Sequence, residues 1–123
     1  MPKFTPQQLD ELYHQTLAEF AASPEKWRNF LDTAARLYKY DFKSQVLIWS
    51  QRPDATACAE LPLWNERLHR RVNRGSNGIG IVDNSSGQPR IKYLFDISDT
   101  SPRDQSVAPP YIWQMRNDAY AVS

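Results

Sequence analysis

Apolar residues in the first third of the chain follow the spacing of helices. From Leu9 to Phe20 they recur every three or four residues, which places them on one face of an amphipathic helix. Thr5, Pro6 and Gln8 supply its start signal: a capping side chain, a proline in the first turn and the glutamine of a capping box. The pattern therefore predicts a helix that begins at Thr5 and continues to about residue 22.

A second helix is predicted to begin at Ser23 and Pro24, which repeat the pair of cap and proline. Two helices joined by so short a connection are expected to pack as an antiparallel hairpin. The buried face of the second helix is predicted to hold the apolar residues of this stretch: Trp27, Phe30, Leu31, Ala34, Leu37 and Tyr38.

A third helix is predicted from Phe42 to about Gln51, with Asp41 as its cap and Pro53 beyond its end. Apolar residues occupy most of its circumference, which is typical of a central, buried helix. Gln45 and Arg52 share one narrow polar strip between Ile48 and Trp49.

The second half of the chain changes to short apolar runs separated by turn residues. Residues 56–59 are a candidate strand, and residues 62–68 a short helix or turn. Val72, residues 79–82 and residues 91–95 are separated by two glycine-containing turns and predict an antiparallel meander. The expected fold class is α+β, with about three N-terminal helices packed on a small antiparallel sheet.

Length and composition limit the class of protein. With 123 residues, 41% hydrophobic residues and 12% aromatic residues, the chain is expected to form one compact soluble domain. It has no apolar run of roughly 18 residues that could span a membrane, and its start does not read as a secretory signal. The lone Cys58 excludes an internal disulfide and favours a cytoplasmic location. We expect a domain over residues 1–100 and a proline-containing tail, or a linker to a missing downstream region, over residues 101–123.

The net charge of +1 conceals an uneven distribution. Residues 1–35 carry −2, residues 36–92 carry +5 and residues 93–123 carry −2. A positive middle segment is typical of a protein that binds an anion, although ordinary sequences also fluctuate this much.

Catalytic chemistry finds little support in these residues. His14, His69 and Cys58 are the only histidines and cysteine, and they do not have the spacing of a zinc site. The glycines form neither a dinucleotide fingerprint nor a Walker loop. Asp83, Asp96 and Asp99 resemble a carboxylate cluster, but aspartates at strand ends are more often turn formers. We therefore expect no enzyme activity, no metal and no cofactor.

Four arginines lie between residues 67 and 74, beside the glycine of a turn. Arginine binds phosphate at two points, and basic residues interleaved with aromatic ones are typical of proteins that bind single-stranded nucleic acid. An alternative interpretation of these four arginines is a charged sheet edge that prevents pairing with another chain. Each tryptophan taken singly is more often a core residue, and Trp27 is assigned to the core.

The middle of the chain resembles a known family. The segments LYKYDFKSQVLIWSQRPDAT at residues 37–56 and RVNRGSNGIGI at residues 71–81, with Trp64 between them, resemble the N-terminal domain of ArdC-type antirestriction proteins. The likeness covers about 45 residues, from Tyr38 to Val82. The continuation YLFDISDT at residues 93–100 is similar to the version near the start of very large helicase and methylase proteins of conjugative transposons.

The resemblance implies a domain that binds single-stranded DNA without sequence specificity, in DNA transfer or antirestriction by a mobile genetic element. Ser44 stands where the family usually has Asn, so a contact made by that amide is weakened or lost. The metallopeptidase domain of ArdC has no counterpart in these residues, and the chain reads as a domain excised from a longer protein or a remnant of one. The polar, glycine and aromatic positions of the family pattern are Tyr40, Gln45, Gln51, Arg52, Trp64, Arg71, Arg74 and Gly75.

The leading hypothesis assigns a role to each group of candidate residues. Gln45 and Gln51 donate hydrogen bonds to DNA, and Trp49 or Tyr93 stacks on bases. The phosphates are neutralised by Arg52, Arg71, Arg74 and Lys92.

The alternative hypothesis is a protein-interaction module. It would dock a helicase, a relaxosome component, a restriction enzyme or other conjugation machinery through Tyr111 and Trp113. Aromatic residues in a basic groove would favour DNA, whereas an apolar patch on the acidic flanks would favour a protein partner. A third, weaker hypothesis is that the protein is a remnant of a longer protein and has no activity.

Overall fold

The computed structural model describes residues 4–102, and their fold is α+β. Three helices come first: α1 (Pro6–Ala22), α2 (Pro24–Arg36) and α3 (Phe42–Gln51). Strand β1 (Cys58–Ala59) and a π-helical turn (Leu63–Arg67) follow. The remaining strands are β2 (Arg70–Val72), β3 (Ile79–Asp83), β4 (Arg90–Asp96) and β5 (Thr100–Pro102), with a 3₁₀ turn (Ile97–Asp99) between the last two. Within residues 4–102, no helix combines the length and hydropathy needed to cross a bilayer.

The predicted helix starts are confirmed by their hydrogen bonds. Thr5 Oγ1 accepts from the Gln8 N–H at 3.2 Å, and Gln8 Oε1 accepts from the Thr5 N–H at 2.9 Å, which completes the capping box. Ser23 Oγ accepts from the Lys26 N–H at 3.3 Å, and an Asp41 carboxylate oxygen accepts from the Ser44 N–H at 2.9 Å. These side chains satisfy backbone donors that the helix itself leaves unpaired.

The helices pack on each other and on one face of the sheet. The main cluster lies where α1 and α3 meet β3, and it includes Leu9, Leu47, Ile48 and Ile81. Helix α3 is the most buried helix, as predicted, with five buried residues among its ten. A second cluster around Trp64 and Phe95 fills the space under the π turn, and a third, with Phe20, Phe30 and Trp49, lies among the helices.

The buried face of α2 is narrower than the sequence predicted. Phe30 and Leu37 are buried, but Trp27, Leu31 and Tyr38 are 37%, 45% and 53% exposed. The helix buries the face that carries Phe30, Thr33 and Leu37, so side chains on the adjacent face stay in solvent. The assignment of Trp27 to the core is therefore wrong in part: its ring stacks on Phe30 with centroids 5.4 Å apart, at the edge of the core.

The strands form two antiparallel sheets rather than one meander. β3 and β4 form the predicted hairpin, and β1 completes a three-stranded sheet in the order β1-β4-β3. Strand β2, which contains Val72, does not pair with β3; it pairs with β5 in the register Val72 to Thr100 and Arg71 to Ser101. The tail predicted from residue 101 thus contributes Ser101 and Pro102 to a strand, and Tyr111 and Trp113 lie outside the described residues.

Candidate nucleic-acid interface

Strand β2 and the turn after it carry three arginines, Arg70, Arg71 and Arg74, which we call the basic ribbon. Arg71 and Arg74 are exposed, and neither forms an ion pair within residues 4–102. Gly75 follows with a φ of 82°, a left-handed conformation that glycine adopts without strain. A Cβ at Gly75 would meet no atom of residues 4–102 within 4 Å, so the described part of the chain leaves the backbone there open to a ligand.

Arg70 lies on the opposite face of β2 and is 8% exposed. Its Nε donates to Thr100 Oγ1 at 2.7 Å and its Nη2 donates to the Thr100 carbonyl at 3.1 Å. Nη1 is buried without a partner, and within the described chain no carboxylate pairs with this guanidinium. Burial lowers the pKa of Arg70 because desolvation disfavours its charged form. The positive charge of the Arg70 guanidinium adds to the positive potential of the basic ribbon.

The ribbon is held by contacts between β2, its turn and β5. The Asn73 N–H donates to the Asp99 carbonyl at 2.8 Å, and Ser101 Oγ donates to Asn73 Oδ1 at 2.6 Å. The Ser76 N–H closes the turn onto the Asn73 carbonyl at 3.2 Å. These hydrogen bonds fix the positions of β2 and its turn, which carry Arg71 and Arg74.

The other two predicted phosphate ligands are engaged in ion pairs. Arg52 Nη1 contacts Asp99 Oδ2 at 2.7 Å and its Nε contacts Asp54 Oδ1 at 3.0 Å. Lys92 Nζ lies 2.9 Å from Glu60 Oε1 and 3.8 Å from Asp83 Oδ2. Each hydrogen-bonded carboxylate, that of Asp99 or of Glu60, raises the pKa of its cation.

Both predicted glutamines bind the protein's own backbone. Gln45 Nε2 donates to the Leu37 carbonyl at 3.0 Å, which ties α3 to the end of α2. Gln51 Nε2 donates to the carbonyls of Leu47 and Gly80, and Gln51 Oε1 accepts from the Gly80 N–H. Both side-chain amides thus stabilise contacts within the fold.

The two predicted tryptophans lie in the core. Trp64 is fully buried, and its Nε1 donates to the Phe95 carbonyl at 3.0 Å. Trp49 is 9% exposed, and its ring lies 5.3 Å from that of Phe20, centroid to centroid. Apolar residues at these positions fill the helix and sheet interfaces, so neither ring presents a face on which a base could stack.

The two predicted tyrosines are half-buried and hydrogen-bonded. The Tyr93 hydroxyl accepts from the Phe4 N–H at 3.1 Å. The Tyr40 hydroxyl donates to the Cys58 carbonyl at 2.8 Å, and burial raises the pKa of the phenol. Lys39 Nζ lies 5.3 Å from the Tyr40 ring centroid.

An open cleft of about 750 Å³ lies between the start of α3, the π turn and the paired strands β3 and β4. Tyr40 and Lys92 line it, together with Ser44, Glu66 and Arg67. The volume is within the range of ligand sites in proteins. Sequence reasoning did not locate this cleft because its walls come together only when α3 packs on β3.

The three aspartates that resembled a metal site serve the fold or ion pairs. Asp96 is 2% exposed and accepts from the Thr56 and Ala57 N–H groups at 2.8 and 3.1 Å and from Ser98 Oγ at 2.7 Å. Asp83 accepts from the Ser85 N–H at 2.9 Å. Within residues 4–102, no group of three or more His, Cys, Asp or Glu side chains is placed to hold a metal ion.

Comparisons with protein-family models, with curated proteins and with solved structures find no match to this chain. The placement of the side chains is therefore the main guide to function beyond the sequence.

Proposed function

We propose that the protein binds single-stranded DNA without sequence specificity, as a domain of a mobile-element protein that acts in DNA transfer or antirestriction. One observation carries the proposal. The predicted cations divide into two sets: Arg52 and Lys92 are neutralised by carboxylates, whereas Arg71 and Arg74 are exposed without an ion pair to any described residue. Unneutralised arginines on one ribbon are suited to phosphate, which guanidinium binds at two points.

The residues proposed to contact DNA differ from those of the hypothesis based on the sequence. Phosphates lie along Arg71 and Arg74, and the open backbone at Gly75 lets the strand approach closely. The buried charge of Arg70 attracts the strand without touching it. The proposal assigns no contact with the strand to Trp49 and Trp64, which are buried, or to Gln51, whose amide pairs with the Gly80 backbone.

The experiment is a fluorescence anisotropy titration with a labelled oligo-dT of about twenty nucleotides and with a duplex of equal length. We expect the single strand to bind more tightly, and the Arg71→Ala/Arg74→Ala variant to lose about tenfold in affinity at low salt. The matched control, Lys26→Ala/Arg28→Ala, removes the same charge from α2 and should bind as the parent does. Equal affinity of both variants, or no binding by the parent at low salt, would overturn the proposal.

A protein-interaction surface is a second candidate function, favoured by the exposed apolar face of α2. Trp27 and Leu31 are large exposed side chains within residues 1–35, which carry a net charge of −2, and exposed Tyr38 follows just beyond the helix. A photo-crosslinking residue at position 31, compared with one at exposed Gln15 on α1, tests this in cells. A discrete partner captured from position 31 alone would support docking, and identical products from both positions would exclude it.

A further inference from the structure

One polar group in the cleft between α3, the π turn and the sheet is not used by the fold. Ser44 is 7% exposed and lines the cleft, and its hydroxyl forms no hydrogen bond with any described residue. Its backbone N–H is already satisfied by Asp41. Among the described residues, the buried side-chain atoms without a partner are Trp49 Nε1 and Arg70 Nη1, so the Ser44 hydroxyl keeps some contact with the solvent in the cleft. A hydroxyl that the fold leaves unpaired in the wall of a cleft is available to a partner from outside.

The charges around the cleft are unsuited to a phosphate. Four carboxylates and three cations line it, and Lys92 is held between Glu60 and Asp83. Glu66 is exposed and forms no ion pair within residues 4–102. The cleft thus offers a carboxylate and a hydroxyl as acceptors, and its net negative charge disfavours an anion.

Apolar side chains form part of the cleft wall. Ile81 and Leu94 from the sheet and Leu63 from the π turn line it together with Tyr40. The hydrogen bond from the Tyr40 hydroxyl to the Cys58 carbonyl holds that ring in one orientation. These apolar side chains, set among polar ones, can contact the faces of a flat, neutral ligand whose edge carries hydrogen-bond donors.

The cleft adjoins the basic ribbon. Arg67 lines the cleft at the end of the π turn, and this turn packs directly against β2. A strand whose phosphates contact Arg71 and Arg74 would therefore run close to the cleft, within reach of a base turned out from the backbone.

We infer that the cleft takes one base of the bound single strand and favours bases with an exocyclic amino group over thymine. The inference rests on the proposed function, since the ribbon must hold the backbone. Carboxylates accept hydrogen bonds from base amino groups, as Glu and Asp do from cytosine N4. The amino group of cytosine or adenine donates to Glu66, and the Ser44 hydroxyl pairs with a ring nitrogen or carbonyl. Thymine presents a carbonyl oxygen at the same position, which the Glu66 carboxylate repels.

The test compares labelled oligo-dC and oligo-dT of about twenty nucleotides by anisotropy at one salt concentration and at pH 8, with oligo-dA as a second amino-bearing probe. We expect the parent to bind oligo-dC about three- to tenfold more tightly than oligo-dT, as one or two added hydrogen bonds provide. The Ser44→Ala/Glu66→Gln variant should bind both with nearly equal affinity without losing affinity for oligo-dT. Ser44→Ala removes an unpaired hydroxyl and Glu66 is exposed, so the fold should tolerate both changes.

The control Glu11→Gln removes the same charge from α1, outside the cleft, and should keep the preference. Equal affinity of the parent for oligo-dC and oligo-dT would overturn the inference and leave the proposed function standing. A preference that survives in Ser44→Ala/Glu66→Gln would overturn it as well. Failure of all three oligonucleotides to bind would instead overturn the proposed function, and the base site with it.

Discussion

The side chain of Gln51 pairs with both backbone groups of Gly80. Gln51 Nε2 donates to the Gly80 carbonyl and Gln51 Oε1 accepts from the Gly80 N–H, each at 2.8 Å. The amide thus acts as a short additional strand on β3, an edge strand of its sheet. A Cβ at Gly80 would lie 3.0 Å from the Phe4 ring, so the close approach of the N-terminal segment also depends on this glycine.

Replacing this amide should destabilise the fold. Gln51→Leu leaves the buried N–H and carbonyl of Gly80 unpaired, and we expect the free energy of unfolding to fall by about 2–4 kcal/mol. Urea denaturation followed by tryptophan fluorescence measures the change. Gln15→Leu, on the exposed face of α1, should change it by less than about 0.5 kcal/mol. Similar small losses in both variants would show that water replaces the amide.

The two buried tryptophans should respond differently to loss of the indole N–H. Trp64→Phe leaves a cavity and removes the donor to the Phe95 carbonyl, so we expect a loss of about 2–3 kcal/mol. Within residues 4–102, Trp49 Nε1 is buried without a partner, so Trp49→Phe removes an unsatisfied donor and should cost about 1 kcal/mol or less. Chemical denaturation of both variants measures the difference, and equal losses would refute this account of Trp49.

His69 has a φ of 52°, in the left-handed region, where the π turn passes into β2. A residue with a side chain is strained there, so we expect His69→Gly to raise the free energy of unfolding by about 0.5–1 kcal/mol. Thermal denaturation measures the shift. His14→Gly, inside α1, should instead lower stability by about 1 kcal/mol because glycine is a poor helix former. A loss in His69→Gly would mean that a contact of the imidazole outweighs the backbone strain.

Stability should fall in mildly alkaline solution. Burial raises the pKa of the Cys58 thiol above its ordinary value of 9.0, and the Asp96 carboxylate 3.8 Å from Sγ raises it further. Above pH 9 the unfolded chain releases a proton that the folded state keeps. The stability from this group is therefore complete below pH 9 and decreases above it, by up to about 1.4 kcal/mol per pH unit.

Urea denaturation at pH 8, 9 and 10 under reducing conditions measures this slope. Cys58→Ala should flatten it, and the remaining decrease should begin only near pH 10, where unfolded Tyr40 starts to ionise while burial raises the pKa of the folded phenol. An equal slope in the parent and in Cys58→Ala would assign the effect to other groups.

The salt dependence of oligo-dT binding should report the number of phosphates at the ribbon. For single strands, the slope of log K against log salt changes by about 0.7 for each phosphate released from its counterions. We expect the Arg71→Ala/Arg74→Ala variant to show a slope shallower than the parent's by about that amount for each arginine. Anisotropy titrations at four salt concentrations measure it. An unchanged slope with reduced affinity would mean that these arginines act on the fold rather than on phosphate.

Local signals in the sequence account for most of the helical part. Thr5, Ser23 and Asp41 were recognised as caps because a cap needs only a suitable side chain within the first turn. The buried face of α2 was harder to predict from the sequence. Trp27 and Leu31 match a helical period as well as Phe30 does, and which of two adjacent faces is buried depends on where α1 and α3 lie.

In the structure, the predicted site residues have different surroundings from those that the sequence hypothesis assumed. The four-arginine segment contains the ribbon, yet Arg70 and Arg71 are consecutive in sequence and face opposite sides of β2. Arg52 and Gln51 read as surface polar residues, although their partners Asp99 and Gly80 are 47 and 29 positions away. No local pattern shows such pairs.

The sequence by itself determined the starts of the helices, the β3–β4 hairpin and the positive middle segment, because capping, turn geometry and charge depend on residues close together in the chain. Tertiary structure alone decided that β2 pairs with β5, that Gln51 completes β3, that Arg52 and Lys92 are neutralised, and that Ser44 lies in a cleft. The physical reason is that pairing, burial and charge neutralisation depend on distances between segments remote in sequence. A polar side chain is available to a ligand only if it is not already paired with another residue of the fold.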